Sequence, residues 1–153
     1  MIDKNTYKDV DFLGVKGLVF VDGKILVYRR DHKTNIHPLR VDLPGGGREK
    51  NESPFDTFKR EVKEEFGINI EKDDIRYSKK YQSILDPTKE SYFFATRPLN
   101  IKESDIMFGD EGTEFRLVNL DEFVKMTDGI KRQQDKVNDY LKNVSGDIVE
   151  FKI

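Results

Sequence analysis

The apolar and polar positions in the first third of the chain predict a β-hairpin that leads into a glycine-rich loop. Residues 13–21 and 24–30 are rich in strand-forming side chains, and Asp22-Gly23 between them tolerates the positive φ angles of a tight hairpin turn. A short apolar stretch at residues 41–43 leads to a proline and the triple glycine 45–47. Because glycine lets the backbone bend and approach a ligand closely, this loop is a candidate for substrate contact.

A helix over residues 53–66 is predicted both by its ends and by its apolar spacing. Ser53 is a typical N-cap, and Pro54 fits the first helical position. Asp56 suits the first turn, and Gly67 is a natural C-terminal stop. Apolar side chains recur every three or four residues and form one stripe, which consists of Phe55, Phe58, Val62 and Phe66. That stripe is expected to face the core.

The second half of the chain has the pattern of further strands and two helices. Strands are predicted at residues 75–85, 91–96, 115–118 and 148–153, a short helix at 121–126, and an amphipathic helix from Ile130 that packs on the sheet through Val137, Tyr140, Leu141 and Val144. The interval 99–112 is a long connection, where lids and substrate loops tend to lie. Residues 1–153 therefore fit a single domain with a mixed sheet flanked by helices.

Composition excludes several classes of partner and site. The 27 basic and 29 acidic residues give a net charge of −2, so the overall charge favours neither a long nucleic acid nor an anionic membrane. Cysteine is absent, which excludes disulfides, thiolate metal sites and a cysteine nucleophile, and fits a cytoplasmic location. A charged N-terminus and the lack of any run of about 18 apolar residues predict neither a signal peptide nor a membrane span.

Three glutamates on the predicted helix are the candidate chemical groups. At about 100° per residue, Glu61, Glu64 and Glu65 occupy roughly one third of the circumference, about 110° from the apolar stripe. They are therefore expected beside the core, at the lip of a cleft. Their mutual repulsion raises each pKa unless a positive charge lies between them. Mg²⁺, which prefers carboxylate and water oxygens and bridges to phosphates, meets that need, and Mn²⁺ accepts similar ligands.

The competing interpretation is a solvated helix face, because 37% of the residues are charged. A wider pattern favours the metal site. It consists of Gly46, five residues, Glu52, seven residues, and Arg60-Glu61-Val62-x-Glu64-Glu65-x-Gly67-Ile68. This pattern resembles the signature of the Nudix hydrolases at every specified position, over residues 46–68. Asn51 stands where many relatives have glycine, but asparagine also tolerates a left-handed backbone.

The resemblance implies both a fold and a chemistry. Proteins similar to this chain are α/β/α sandwiches that hydrolyse a nucleoside diphosphate linked to another group, by metal-dependent attack of water on phosphorus. By that resemblance, Glu61 and Glu65 would be the principal metal ligands and Glu64 a further ligand or water partner. The carbonyl of Gly45 would be an extra ligand, and Arg60 would orient Glu61.

Further residues outside the helix are implicated less directly. In several relatives, a glutamate from the loop before a late strand completes the metal site or acts as base. Glu111 occupies that place, with Glu114 as the second choice and a loop acid without a role as the alternative. Arg30 ends a predicted strand near the cleft, where it is either a clamp for the leaving diphosphate or a solvated strand end. Gly46 and Gly47 are expected to let the backbone approach the substrate.

The substrate class is defined less sharply. Relatives that act on ADP-ribose or diadenosine polyphosphates carry a marker proline or tyrosine, and Pro87 and Tyr81 lie near those places but out of register. The sequence thus favours hydrolysis of a small nucleotide, a nucleoside triphosphate, to the monophosphate and pyrophosphate. A nucleotide-sugar or ADP-ribose pyrophosphatase is the alternative. A non-catalytic nucleotide-sensing module is the rival of another class, disfavoured because all the signature glutamates are present. A homodimer is expected only by analogy with relatives.

Overall fold

The computed structural model describes residues 12–34, 36–83, 86–110 and 112–144. Within these ranges, seven strands form one mixed sheet, with three helices on its faces. The strands are β1 Phe12–Val21, β2 Lys24–Arg30, β3 Val41–Asp42, β4 Gly45–Gly47, β5 Ile75–Gln82, β6 Glu90–Leu99 and β7 Gly112–Val118, and the helices are α1 Pro54–Phe66, α2 Leu120–Lys125 and α3 Lys131–Val144. This arrangement confirms the expected α/β/α sandwich with a mixed sheet.

The two strands of the hairpin, β1 and β2, are paired for only part of their length. These strands pair antiparallel beside their turn, at Phe20 with Ile25 and Val21 with Lys24. Farther along, β1 pairs with β4 and β2 pairs with β3, so the segment 41–47 fills the gap between them. β6 lies parallel to β1 and antiparallel to β5, and β7 pairs with β2. The glycine triplet is therefore held in the sheet, directly before the chain enters α1.

The local signals for the hairpin and for α1 are confirmed. Asp22 and Gly23 have φ angles of 52° and 75°, as a tight turn requires. The Ser53 hydroxyl accepts a hydrogen bond from the N–H of Asp56 at 3.0 Å. At the other end, Gly67 adopts the left-handed conformation with φ 68°. These caps fix where α1 begins and ends.

Two apolar layers enclose the sheet. On one face, Phe58, Val62 and Phe66 of α1 are fully buried against residues that include Val15, Val19, Tyr28 and Phe94. On the other face, α2 and α3 contribute Phe123 and Val137 to a layer that includes Leu18, Ile25, Val27 and Phe93. The opposite placement of Phe93 and Phe94 follows from the two-residue period of a strand.

Several predicted boundaries need correction. The glycine triplet is a strand, not a free loop, because Gly14, Val15 and Lys16 of β1 supply its pairing partners. The strand predicted at 91–96 extends over Glu90–Leu99, and the one predicted at 115–118 begins at Gly112. The strand predicted at 75–85 ends at Gln82. The strand predicted at 148–153 lies outside the described residues.

The long connection before β7 packs against the end of α1. The N–H of Met107 donates to the carbonyl of Phe66 at 2.9 Å, and the N–H of Gly109 donates to the carbonyl of Glu65 at 2.8 Å. These bonds satisfy carbonyls that a helix C-terminus leaves without an internal partner. Among the described residues, the helices are all too short or too polar to cross a membrane.

Candidate active site

The guanidinium of Arg60 draws together the carboxylates predicted from the sequence. Its Nε and Nη2 donate to Oε2 and Oε1 of Glu52, at 2.8 and 3.0 Å. Its Nη1 donates to Oε1 of Glu61 at 2.9 Å and to Oε2 of Glu64 at 3.2 Å. Nη2 also donates to the carbonyl of Gly47 at 2.8 Å. The protein itself thus supplies part of the positive charge that the neighbouring carboxylates require.

Electrostatics keep the Arg60–Glu52 pair ionised. Burial works to raise the pKa of Glu52, but hydrogen bonds from Arg60 and from the N–H of Glu49 outweigh burial, and the net shift is downward. The hydrogen bonds to Glu52 and Glu61 raise the pKa of Arg60 further above its ordinary range, against the opposing effect of burial. Arg60 therefore stays cationic, and Glu52 stays anionic, near neutral pH.

The three helix glutamates lie in different environments. Glu65 is only 1% exposed, and its Oε1 accepts a hydrogen bond from the N–H of Gly45 at 2.9 Å. Glu61 is 7% exposed and lies against Gly46. The side chain of Glu64, by contrast, is 50% exposed. The sequence predicted all three glutamates at the lip of a cleft. In the structure, Glu61 and Glu65 are buried beside the glycine strand, and Glu64 is open to solvent.

Two of the strand glycines are required by close contacts. A Cβ on Gly46 would lie 2.6 Å from Cδ of Glu61, so only glycine admits that carboxylate in this position. Gly45 has a φ of 132°, and a Cβ there would lie 2.2 Å from the carbonyl oxygen of Val15. Gly47 has only one such contact within 4 Å, the carbonyl oxygen of Leu13 at 3.9 Å.

A half-buried lysine that was not singled out in the sequence reaches β4 from β1. Nζ of Lys16 lies 2.8 Å from Oδ2 of Asp42, and 3.1 Å from the carbonyl oxygens of both Leu43 and Gly45. The Tyr28 hydroxyl is 3.4 Å away. A charged residue within an otherwise apolar strand is the sequence signal that marks it, and the same signal marks Asp42, which is 1% exposed.

The Lys16 ammonium is stabilised in its charged form. Burial alone would lower the pKa of Lys16, but the electrostatic effects of Asp42, Tyr28 and Glu65 and the hydrogen bond to Asp42 outweigh burial and raise it. A fixed positive charge therefore lies on the glycine strand, close to the Glu65 carboxylate.

Arg30 is engaged away from the helix glutamates. Its Nη1 donates to Asp42 at 3.0 Å, its Nε to the carbonyl of Ile36 at 3.0 Å, and its Nη2 to Thr34 at 2.9 Å. These bonds attach the loop after β2 to β3. A role as a diphosphate clamp stays a prediction, and it requires Arg30 to give up some of these partners.

The structure describes only one of the two candidates for the additional glutamate. Glu111 lies outside the described residues. Glu114, on β7, pairs with Arg29 at 3.2 Å, and its side chain is 52% exposed. The choice of Glu111 as metal ligand or base stays a prediction.

The donor chemistry of the site fits a hard divalent cation. Within the ranges that the structure describes, no three acidic or histidine side chains form a ready-made metal cluster. The carboxylate oxygens of Glu61, Glu64 and Glu65 nevertheless supply the donors that Mg²⁺ and Mn²⁺ prefer. Arg60 already bonds two of these side chains, so a bound cation would have to share or displace those bonds.

The fold and the site together define a class of protein: an α/β/α sandwich in which a glycine strand and the following helix present a group of carboxylates. A family model of the NUDIX domain matches residues 12–140. The chain belongs to the Nudix family of hydrolases, as the signature at residues 46–68 predicts. A comparison with curated proteins finds no match.

Solved structures share the fold at low sequence identity. A MutT protein from Methanosarcina mazei Go1 is 21% identical with a TM-score of 0.73, and the match covers 90% of this chain and 99% of that one. A Nudix hydrolase from Nitrosomonas europaea is 21% identical with a TM-score of 0.71, covering 94% and 77%. A bifunctional NMN adenylyltransferase/ADP ribose pyrophosphatase from Francisella tularensis, complexed with AMP and Mn ion, is 20% identical with a TM-score of 0.65, covering 89% and 42%.

Proposed function

We propose that this protein is a metal-dependent hydrolase that cleaves a phosphoanhydride bond in a nucleoside diphosphate-linked substrate. The observation that carries the proposal is the pair of buried carboxylates, Glu61 and Glu65, packed against the backbone of a glycine strand. An acid is rarely buried without a partner group, and perturbed or buried acids cluster at functional sites. Glu61, Glu64 and Glu65 would hold Mg²⁺ or Mn²⁺.

A bound divalent ion would polarise a phosphoryl oxygen and lower the pKa of the attacking water. The chain's own residues position that chemistry. Arg60 fixes the carboxylate of Glu61 through Nη1, while its pair with Glu52 fixes the guanidinium. Gly46 and Gly47 would contact the substrate through the backbone. Glu61 fills the space beside Gly46, whereas the space beside Gly47 would let a substrate phosphate approach closely. Glu111 is the proposed additional ligand or base.

The favoured substrate is a nucleoside triphosphate, hydrolysed to the monophosphate and pyrophosphate. A nucleotide sugar or ADP-ribose is the second candidate, and the fold similarity to a protein named as an ADP ribose pyrophosphatase supports testing it. The two differ in what lies beyond the diphosphate: further phosphate in the first, and a sugar in the second.

The test is release of phosphate or pyrophosphate from nucleoside triphosphates, nucleotide sugars, ADP-ribose and dinucleoside polyphosphates. Each reaction is run with Mg²⁺, with Mn²⁺ and with chelator. We expect turnover of one substrate class, loss of activity on chelation and recovery when the metal is returned. Folded protein that binds a nucleotide but hydrolyses none of the panel would instead favour a nucleotide-sensing module.

A further inference from the structure

The carbonyl of Gly45 accepts a hydrogen bond from a cation that belongs to the protein. An ammonium group has three N–H donors. Three oxygens lie within 3.1 Å of Nζ of Lys16: Oδ2 of Asp42 and the carbonyls of Leu43 and Gly45. Each of the three N–H groups therefore has an acceptor, and the carbonyl of Gly45 is one of these acceptors.

Both polar groups of Gly45 are committed in this way. Its N–H donates to Oε1 of Glu65 at 2.9 Å, on the side of α1. Its carbonyl accepts from Lys16, at 3.1 Å. A Cβ at position 45 would lie 2.2 Å from the carbonyl oxygen of Val15, so Gly45 also packs closely against β1. Gly45 is thus fixed between an anion and a cation, both supplied by the chain.

We propose that the Lys16 ammonium takes the place of a metal ion at the Gly45 carbonyl, so that divalent cations bind only through the carboxylates of α1. The inference rests on the proposed function. The positive charge of the same site would then come from two sources, the fixed ammonium of Lys16 and the metal ion bound by α1. On this proposal the carbonyl of Gly45 is not a metal ligand, contrary to what the family resemblance implies. A divalent ion on that carbonyl would lie about 2.1 Å from the oxygen and would be repelled by the ammonium beside it.

Lys16 is anchored on a buried carboxylate. Its anchor, Asp42, is 1% exposed and also accepts from Arg30 at 3.0 Å. Without the ammonium, the Asp42 carboxylate and the carbonyls of Leu43 and Gly45 would form a group of hard oxygen donors. Such donors are typical of a site for a divalent cation. Neutral substitution of Lys16 should therefore create a metal site.

The experiment counts Mn²⁺ ions bound to the metal-free protein by electron paramagnetic resonance, with no substrate present. We expect Lys16→Met to bind one Mn²⁺ more per chain than the wild type. Lys16→Arg, which keeps the charge, should retain the wild-type number. Arg30→Met is the matched control, because it removes the other cation from Asp42 but leaves Lys16 on Gly45, and it should also retain the wild-type number.

The outcomes separate this inference from the proposed function. If Lys16→Met binds Mn²⁺ in the wild-type number and with the wild-type affinity, the inference is overturned while metal binding by α1 stands. A wild type that binds no Mn²⁺ would instead refute the proposed function. Lys16→Ala is the second variant, with the fold of each verified by circular dichroism. It leaves more space and should gain the same additional ion, and no gain in it would likewise overturn the inference.

Discussion

Arg60 and Glu52 form a two-pronged ion pair, with Nε–Oε2 and Nη2–Oε1 distances of 2.8 and 3.0 Å. Their side chains are 18% and 17% exposed, so the pair is largely shielded from water. Glu52 also accepts from the N–H of Glu49 at 2.8 Å and from the hydroxyl of Thr57 at 3.2 Å. The pair therefore ties the turn after β4 to the middle of α1, and it fixes the guanidinium that holds Glu61.

Arg60→Lys should destabilise the fold and reduce hydrolysis, although it conserves charge. A lysine cannot reproduce the planar fork that contacts Glu52, Glu61 and the Gly47 carbonyl together. We expect a loss of about 1–3 kcal/mol in the free energy of unfolding, measured in urea. Lys59→Met is the control: Lys59 forms an exposed pair with Glu71 and should change stability by less than about 1 kcal/mol. Equal losses in the two variants would contradict the assignment.

Gly46→Ala should impair catalysis far more than Gly47→Ala. The new Cβ at position 46 would lie 2.6 Å from Cδ of Glu61 and would displace that carboxylate, whereas at position 47 it meets only the Leu13 carbonyl at 3.9 Å. Misplacing a reacting group by about 1 Å can cost roughly a hundredfold in rate, so we expect a loss of that order in kcat for Gly46→Ala alone. The measurement is kcat of the metal-dependent hydrolysis, with circular dichroism on both proteins. Similar kcat values would count against a role for Glu61 at this position.

Glu64→Gln and Glu65→Gln should both lose orders of magnitude in turnover but should differ in stability. The side chain of Glu64 is 50% exposed, so its substitution should change the free energy of unfolding by less than about 0.5 kcal/mol. Glu65 is 1% exposed, and glutamine would replace one of its two acceptor oxygens by an N–H₂ donor in that buried position. We expect a cost of about 1–3 kcal/mol there, measured by urea unfolding. Wild-type turnover in either variant would remove that residue from the site.

Local signals in the sequence were sufficient for α1 and for the hairpin. Ser53, Gly67 and Asp22-Gly23 act on the backbone within a few residues, so their effect does not depend on the rest of the fold. Membership of the Nudix family was also predicted from local sequence, because the order of residues at 46–68 is specific to that family.

Contacts between residues that are distant in the sequence could not be predicted from local signals. Gly45 to Gly47 became a strand because β1 and β2 separate and leave a gap, and that separation has no local signal. Lys16 and Asp42 are 26 residues apart and meet only across that gap. The helical projection placed all three glutamates together, but packing against Gly46 and the hydrogen bond from Gly45 bury two of them and leave Glu64 exposed.

Lys136 on α3 should make stability depend on pH above neutrality. Burial first, and then the positive charges of Arg132 and Lys16, lower the pKa of Lys136 from 10.5 to about 8, although Asp42 opposes them. Its Nζ lies 5.2 Å from the centre of the Tyr81 ring. Below about pH 8 the lysine is protonated in both the folded and the unfolded protein, and the folded state carries the cost of that buried charge. Between about pH 8 and 10.5 only the unfolded chain keeps the proton, so this residue's contribution to stability rises with pH.

Lys136→Met should therefore stabilise the protein at pH 7, by an amount that decreases as pH approaches 10.5. At about 1.36 kcal/mol per pKa unit the gain is at most about 3 kcal/mol, and screening at the partly exposed edge of α3 reduces it. The measurement is urea unfolding of variant and wild type at pH 7 and pH 10, compared as differences so that other titrating groups cancel. Lys125→Met, at an exposed position on α2, is the control and should show no such trend. An equal stabilisation by Lys136→Met at both pH values would mean that the gain comes from apolar packing, because relief of a buried charge has to disappear once the wild-type lysine is neutral.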